Sequence, residues 1–404
     1  MALEITTCST TEELRDGLDA IGHYFGFEQQ LEDVERYTPL LAPERMHTAR
    51  DNGHIVGGAG VFPFRLSIPG GEIDAAGVTV VGVLPTHRRR GALTAMMRAQ
   101  LDDCLARGEP VAYLWASEAT IYGRFGYGVA SLAGEATIAR DRAQFARPFE
   151  PRGTLRLVDV GEALRTFPPL YDQCFAQRPG MFARPREWWE LRRLYDDPSR
   201  RRGGGPKNLV LLELDGVPAG YAIYNVKQDW SGGVSAGTVS IVEAVAPTQE
   251  ATRELWRWLL DFDWTSQFSA GLLPADHPLF LLLAEPRRMN FTLGDGVWVR
   301  LVDVGAALSA RGYAGEGEIV LELEDGFLPD NAGRWRVTAA GAERTTADAE
   351  LVLGVDALGS TYLGGFTFGE LVAAGRAHEM VAGAAARADS LFRTPIAPWC
   401  PEIF

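Results

Sequence analysis

The amino-acid sequence predicts an α/β (α+β) protein of two related modules followed by a smaller α+β domain, and three observations carry that prediction. A β-hairpin, strand, helix, strand order occurs near the N-terminus and again in the middle of the chain. The segment "LRLVDVGEAL" (155–164) returns as "VRLVDVGAAL" (299–308), each copy opening a new part of the chain. The remainder has three strand-like runs, "GEIVLELED", "GRWRVTAA" and "AELVLGVDAL", then two helical stretches and an extended tail, "RTPIAPWCPEIF". At 404 residues the chain exceeds what one hydrophobic core organises. The expected domains are 1–150, 151–298 and 299–404.

In the first module, "HIVGGAGVFPFRLSIPGGEIDAAGVTVVGV" (54–83) reads as two β-rich apolar strands around a tight turn at Pro69-Gly70-Gly71. From Gly91 to Arg107 the apolar residues Leu93, Met96, Met97, Leu101, Cys104 and Leu105 recur at helical spacing, and Gly108 and Pro110 stop the pattern. "VAYLWAS" (111–117) is a short buried strand and "IYGRFGYG" (121–128) a glycine-rich turn. In the middle of the chain, "LVLLELDGVPAGYAIYNV" (209–226) is a hairpin through Asp215-Gly216, and "TVSIVEAVAPTQEATRELWRWLL" (238–260) is strand then helix. Setting Pro85 over Pro247 aligns "VLPTHRRRGAL" with "VAPTQEATREL". Arg88 becomes Glu250 and Gly91 becomes Arg253, so an anion site in the first copy would be lost in the second.

The formal net charge is -14. That excess argues against nucleic acid and anionic membranes as partners and concentrates cationic molecules at the surface. Cys8, Cys104, Cys174 and Cys400 lie far apart, without metal or redox spacing, so no metal is expected and a reducing cytoplasm fits. The N-terminus has no basic segment leading into an apolar run, and no stretch approaches the roughly 20 apolar residues of a membrane span.

Against this acidic background, three consecutive arginines, Arg88, Arg89 and Arg90, precede Gly91 where a strand gives way to a helix. A helix start has backbone N–H groups without intrahelical partners and the positive end of the helix dipole, which suits an anion. Gly91 allows close backbone approach, the amides from Arg89 through Ala92 and Leu93 to Thr94 can converge on a phosphate, and a pyrophosphate fits. The same run alone would also serve as an ordinary solvated turn. The context adds weight: Gly82 interrupts the valine run "VTVVGV", which predicts a bulge that frees amides at Val81 and Val83.

"V-x-P-x-x-R-x-x-G" after a strand, followed about 30 residues later by "Y-x-x-x-G-Y", resembles the GNAT family of acetyl-CoA-dependent N-acetyltransferases. "PTHRRRG", "ASEATIYGRFGYG", a degenerate second GNAT-like module and a sterol-carrier-like third domain look like the enhanced intracellular survival (Eis) family of aminoglycoside N-acetyltransferases. Leu93 departs from the wider GNAT pattern, where a smaller residue usually completes the pyrophosphate loop. The resemblance implies acetyl-CoA held by Val81, Gly82, Val83, the turn from Arg88 to Thr94, and Ser117 and Glu118 beside the pantetheine arm or acetyl group. It implies Tyr122 as general acid, with Tyr127 as the competing choice, and the Val81 amide as oxyanion donor. No His/Asp/Glu cluster lies near Tyr122 in sequence, and His87 stands beside the arginines. The resemblance implies that the α-carboxylate of Phe404 reaches the first module's site as the base. Glu402 is expected in the substrate pocket, with Glu28, Glu32 and Asp33 as further acidic candidates. It also implies a hexamer. The remaining alternatives are acetylation of a protein or peptide lysine or a polyamine, and an apolar-ligand carrier on an inactive GNAT scaffold.

Overall fold

The computed structural model describes residues 3–26, 28–201 and 203–404. It divides into two compact units: residues up to Ser131 with Val297–Pro395 and Ile403–Phe404, and Leu132–Gly296 with Ile396–Glu402.

The first unit contains β1 (Glu4–Thr7), α1 (Thr11–Phe25), α2 (Leu31–Tyr37), β2 (Met46–Asp51), β3 (His54–Ile68), β4 (Gly71–Val83), α3 (Ala92–Ala106), β5 (Val111–Trp115), α4 (Ala119–Tyr122) and β6 (Gly128–Val129). Helix α1 begins at Thr10, whose side chain accepts the Glu13 N–H, one of the donors a helix start leaves over. The β2–β3 hairpin turns at Asn52-Gly53, both with positive φ, as a two-residue turn of this kind demands. Strands β1 to β4 are antiparallel neighbours, whereas β4 and β5 are parallel because α3 carries the chain back across the sheet. Met97, Leu101 and Cys104 of α3 are fully buried against Val61, Val78 and Leu114.

The second unit repeats this layout. It contains β7 (Leu132–Ala139), β8 (Gly153–Leu157), α5 (Val160–Phe175), β9 (Asn208–Leu214), β10 (Val217–Lys227), β11 (Thr238–Val245), α6 (Gln249–Leu259), β12 (Gln267–Pro274) and β13 (Thr292–Asp295). The sheet order is β13-β7-β12-β11-β10-β9-β8, with β11 and β12 as its helix-linked parallel pair. The next strand, β14 (Val297–Leu301), returns to the first sheet between β5 and β6, the place β7 takes in the second. Each sheet therefore receives one strand from the sequence beyond its own repeat. This corrects the expected boundary at residue 150: Leu132–Ala139 pair with β12 and β13, a long-range register that no local pattern announces.

Apart from Ile396–Glu402, the third domain belongs to the first unit. Helix α7 (Val304–Ala310) precedes a five-stranded sheet of β15 (Glu318–Glu324), β16 (Gly333–Thr338), β17 (Gly341–Arg344), β18 (Leu351–Gly354) and β19 (Ala377–Glu379), in the order β17-β16-β15-β18-β19. A buried ion pair of 2.5 Å between Arg300 of β14 and Asp325 ties this domain to the first sheet. Removing one partner of such a pair strands a buried charge and costs about 3–5 kcal/mol.

Candidate active site

The site begins where two parallel strands part. Strands β4 and β5 pair only from Ala75–Val111 to Gly77–Tyr113, although β4 runs on to Val83. Beyond that point β4 carries a bulge, since Thr79 pairs with Gly60 and Gly82 with Gly58, leaving Val80 and Val81 opposite one residue. Val80 has φ +47, a strained conformation for a β-branched residue. Gly60 makes room for it, because a Cβ there would stand 2.9 Å from Val80 Cγ2. The bulge thus lies two residues before the expected Gly82. Gly82 serves the close approach of α1 instead, where a Cβ would stand 2.8 Å from Ile21 Cα.

The arginine turn follows β4. Arg88 is extended, and Arg89 (φ 59) and Gly91 (φ 85) are left-handed, so the backbone curls before α3 begins. The first helical bond is Ala95 N–H to Gly91 C=O, and the N–H groups of Ala92, Leu93 and Thr94 precede it. Successive amides in such a turn form a concave anion site. Among the described residues, neither Arg88 nor Arg89 has a carboxylate partner, and both line the cavity below. Arg90 differs from the expectation. Its guanidinium pairs with Asp51 at 3.0 Å, joined by His87 Nε2 at 3.2 Å, and it is not among the cavity residues. The hydrogen bond from Arg90 holds the Asp51 carboxyl below its ordinary range, so Arg90 fastens the turn to the β2–β3 hairpin.

A cavity of about 730 Å³ lies between the parted strands and the turn. It is lined by Val81, Gly82 and Val83, by Arg88, Arg89 and Gly91 to Thr94, and by Ser117, Glu118 and Tyr122. The fold therefore brings a strand end, a helix start and a distant turn into one hollow. Tyr122 is 6% exposed, and its hydroxyl has no hydrogen-bond partner among the described residues. Burial, with a smaller contribution from Glu118, pushes its pKa up to about 12. The Tyr127 ring lies edge-on to it at 5.9 Å, but Tyr127 is wholly buried and does not line the cavity. Sequence reasoning missed Ile21, Tyr24 and Phe25 at the end of α1, and Arg124. The Tyr24 hydroxyl donates to the Val83 carbonyl at 2.6 Å, a contact 59 residues apart that only the packing of α1 over Gly82 creates.

The remaining candidates separate. Glu28, Glu32 and Asp33 are exposed and do not line the cavity, although Glu28 follows its Phe25 wall closely in sequence. Glu402 is 6% exposed and belongs to the second unit. There its carboxylate meets Arg184 at 2.9 Å, Arg193 at 3.8 Å and the Trp188 indole N–H at 3.0 Å. Two guanidiniums already compensate Glu402, so the expectation that it faces a substrate ammonium is corrected. Phe404 lies in the first unit, its ring against Phe64 at 5.1 Å and Tyr113 at 4.9 Å. Tyr113 is the last β5 residue paired with β4, so Phe404 packs at the point of divergence.

In the second unit the aligned turn has neither Arg88 nor Gly91. Glu250 pairs with Arg152 at 3.2 Å, and Arg253 stacks over Phe149 at 4.3 Å. The left-handed Asn290 followed by Phe291 enters β13 as Gly126-Tyr127 enters β6, without a hydroxyl.

A parallel pair parting beside a helix start, with a cavity of about 730 Å³ between them, has the form of an acetyltransferase of the GNAT class. GNAT acetyltransferase domains match residues 8–130 and 180–301, and a sterol carrier protein domain matches 304–401. An uncharacterized N-acetyltransferase of Streptomyces avermitilis is 42% identical over 388 residues, 94% of each chain. The N-acetyltransferase Eis of Mycobacterium tuberculosis is 35% identical over 413 residues, 98% of each. The crystal structure of Eis1 from Mycobacterium abscessus superposes with a TM-score of 0.87 at 36% identity, covering 99% of this chain and all of that one. The chain belongs to the Eis family of N-acetyltransferases.

Proposed function

We propose that this enzyme moves the acetyl group of acetyl-CoA to amino groups of aminoglycosides or similar polycationic amines, in the cytoplasm and as a hexamer. The observation that carries the reading is the single cavity shared by the β4 bulge, the arginine turn and Tyr122. Acetyl-CoA supplies the activated acetyl thioester. The amides of Ala92 to Thr94 with Arg88 and Arg89 hold its pyrophosphate, and Val81 and Val83 on the open edge of β4 hold the pantetheine arm. The Val81 N–H donates to the thioester oxygen as charge develops there. Ser117 and Glu118 border the arm from the opposite strand.

The Tyr122 hydroxyl serves the departing sulfur. A pKa near 12 keeps it protonated at neutral pH, but full transfer to a free thiolate, with a reference near 8.5, would run uphill by about 3.5 units. Burial narrows that gap, because removing water destabilises a thiolate as well. Tyr122 therefore acts first as a hydrogen-bond donor to sulfur and completes the proton transfer as the thiolate is freed. The α-carboxylate of Phe404 takes the amine proton, a role supported by the fixed seat of its ring. Net charge of -14 and the exposed acids that follow the Phe25 wall favour a cationic acceptor.

Thiol release from acetyl-CoA against a panel of aminoglycosides, polyamines and lysine peptides tests the reading. Aminoglycosides should give the highest kcat/KM, and Tyr122→Phe should lower kcat by about 10²-fold or more with acetyl-CoA affinity unchanged. Preference for lysine peptides would replace the substrate class, and unaltered turnover in Tyr122→Phe would remove its role.

A further inference from the structure

The second module has kept a cleft although its anion turn is gone. Strands β11 and β12 run parallel from Thr238–Gln267 to Ile241–Ala270 and then part, as β4 and β5 do. The opening holds a cavity of about 620 Å³, within the range of small-molecule sites. The free strand ends, the first turn of α6 and the tail residues Ile396 and Trp399 form its walls. Leu272 on β12 has φ 53, and its carbonyl accepts the Trp399 indole N–H at 2.5 Å, which fixes the tail as one wall.

The polar groups define what fits. Glu243 is held by Arg184 and Arg193, Arg178 is paired with Asp276 at 2.7 Å, and Arg253 is drawn onto Phe149. Glu243 and Arg178 are thus engaged by opposite charges, and Arg253 by an aromatic ring. His277 is different. It is 7% exposed and lines the cavity, and its Nδ1 accepts the Leu279 N–H at 3.2 Å. The proton of the neutral ring is then on Nε2, which has no hydrogen-bond partner among the described residues. Burial keeps the ring neutral by pushing its pKa down to about 3. A buried neutral donor is satisfied by a neutral acceptor such as an amide or thioester carbonyl.

We propose that this cavity binds an uncharged, extended aliphatic amide, the chemistry of a pantetheine arm without its phosphates, with a carbonyl oxygen on the Nε2–H of His277. The proposal rests on reading the first cleft as the acetyl-CoA site, since it takes the second as a duplicate that lost the arginine turn and the tyrosine but kept the strand opening. Divergent strand ends offer amide partners to an extended chain, and Glu250, where the first module has Arg88, offers a phosphate no guanidinium.

The test uses the full chain saturated with CoA, so that the first cleft is filled. S-acetylpantetheine is then titrated in, and heat and the fluorescence of Trp256 and Trp399, both in the cavity wall, are recorded. Saturable binding of one molecule per chain is expected. Thr252→Trp, at a half-buried wall position on α6, should abolish it. His277→Phe, which keeps a ring and removes the donor, should weaken it about five-fold. No saturable signal from a protein that transfers acetyl groups before CoA is added overturns the proposal, as does unchanged binding in Thr252→Trp. Binding by a protein that neither holds acetyl-CoA in the first cleft nor transfers acetyl groups would instead sink the reading of that cleft and leave the second standing.

Discussion

Replacing Arg88 with glutamate copies the charge that the second module carries at Glu250. Arg88 is exposed, extended and without a carboxylate partner among the described residues, so the change removes no internal contact and should leave the melting temperature within about 2 °C. Its effect falls on the cofactor. A hydrogen bond from a guanidinium to phosphate contributes about 1.5–3 kcal/mol. Placing a carboxylate roughly 4 Å from phosphate in water-like surroundings adds about 1 kcal/mol of repulsion. The total, about 2.5–4 kcal/mol, is a loss of roughly 60- to several-hundred-fold in acetyl-CoA affinity. Calorimetric titration with CoA measures it, and a steep salt dependence in the native enzyme should be blunted in the variant. Arg90→Gln is the internal comparison: it breaks the Asp51 pair and should lower the melting temperature while costing less than threefold in affinity. Wild-type affinity in Arg88→Glu, or a larger affinity loss in Arg90→Gln, would refute the placement of the pyrophosphate.

A Gly-Ser extension after Phe404 displaces the terminal carboxylate by roughly 3.3–3.6 Å per added residue and should abolish acetyl transfer while acetyl-CoA still binds. Native turnover in the extended protein, with an N-terminal extension as control, would end the role of Phe404 as base. Tyr24→Phe frees the Val83 carbonyl from its 2.6 Å bond and should tighten acetyl-CoA binding about two- to tenfold with kcat unchanged, read as a KM effect; weaker binding would make Tyr24 a support of the cleft wall. His277 has a folded pKa near 3 against an ordinary 6.5, under burial beside Arg178 and Asp276. Between those values the unfolded chain binds a proton that the folded chain does not, so stability should fall as pH drops from about 6.5 toward 3. Thermal melts across that window should slope less in His277→Phe, and equal slopes would argue against a neutral buried ring.

The parts of the site legible in the sequence are those written in neighbouring residues. Gly91 after an arginine run, at the opening of a helix, announces the curled turn because both the left-handed backbone and the unpartnered amides are local. The spacing of Tyr122 from Gly126 and Tyr127 similarly marks a turn. Gly82 signalled an irregular strand, but the strain sits on Val80, whose side chain gives no hint of positive φ. Arg90 and Glu402 could not be separated from functional charges by sequence, since their partners Asp51, Arg184 and Arg193 are tens or hundreds of residues away. The duplicated fold showed through its strand and helix periods, whereas the placement of β7 and β14 depends on pairings across more than a hundred residues.

The placement of β14 governs how the chain can be made. When residue 131 leaves the ribosome, β5 has no neighbour on its far side, and the two-residue β6 has nothing to pair with. Such a nascent sheet presents an open, apolar edge until Val297–Leu301 has been synthesised, at about 5–20 residues per second. A chain truncated anywhere before β14 should therefore lack the strand that β5 and β6 both pair with, leaving the first module's sheet unfinished at that edge.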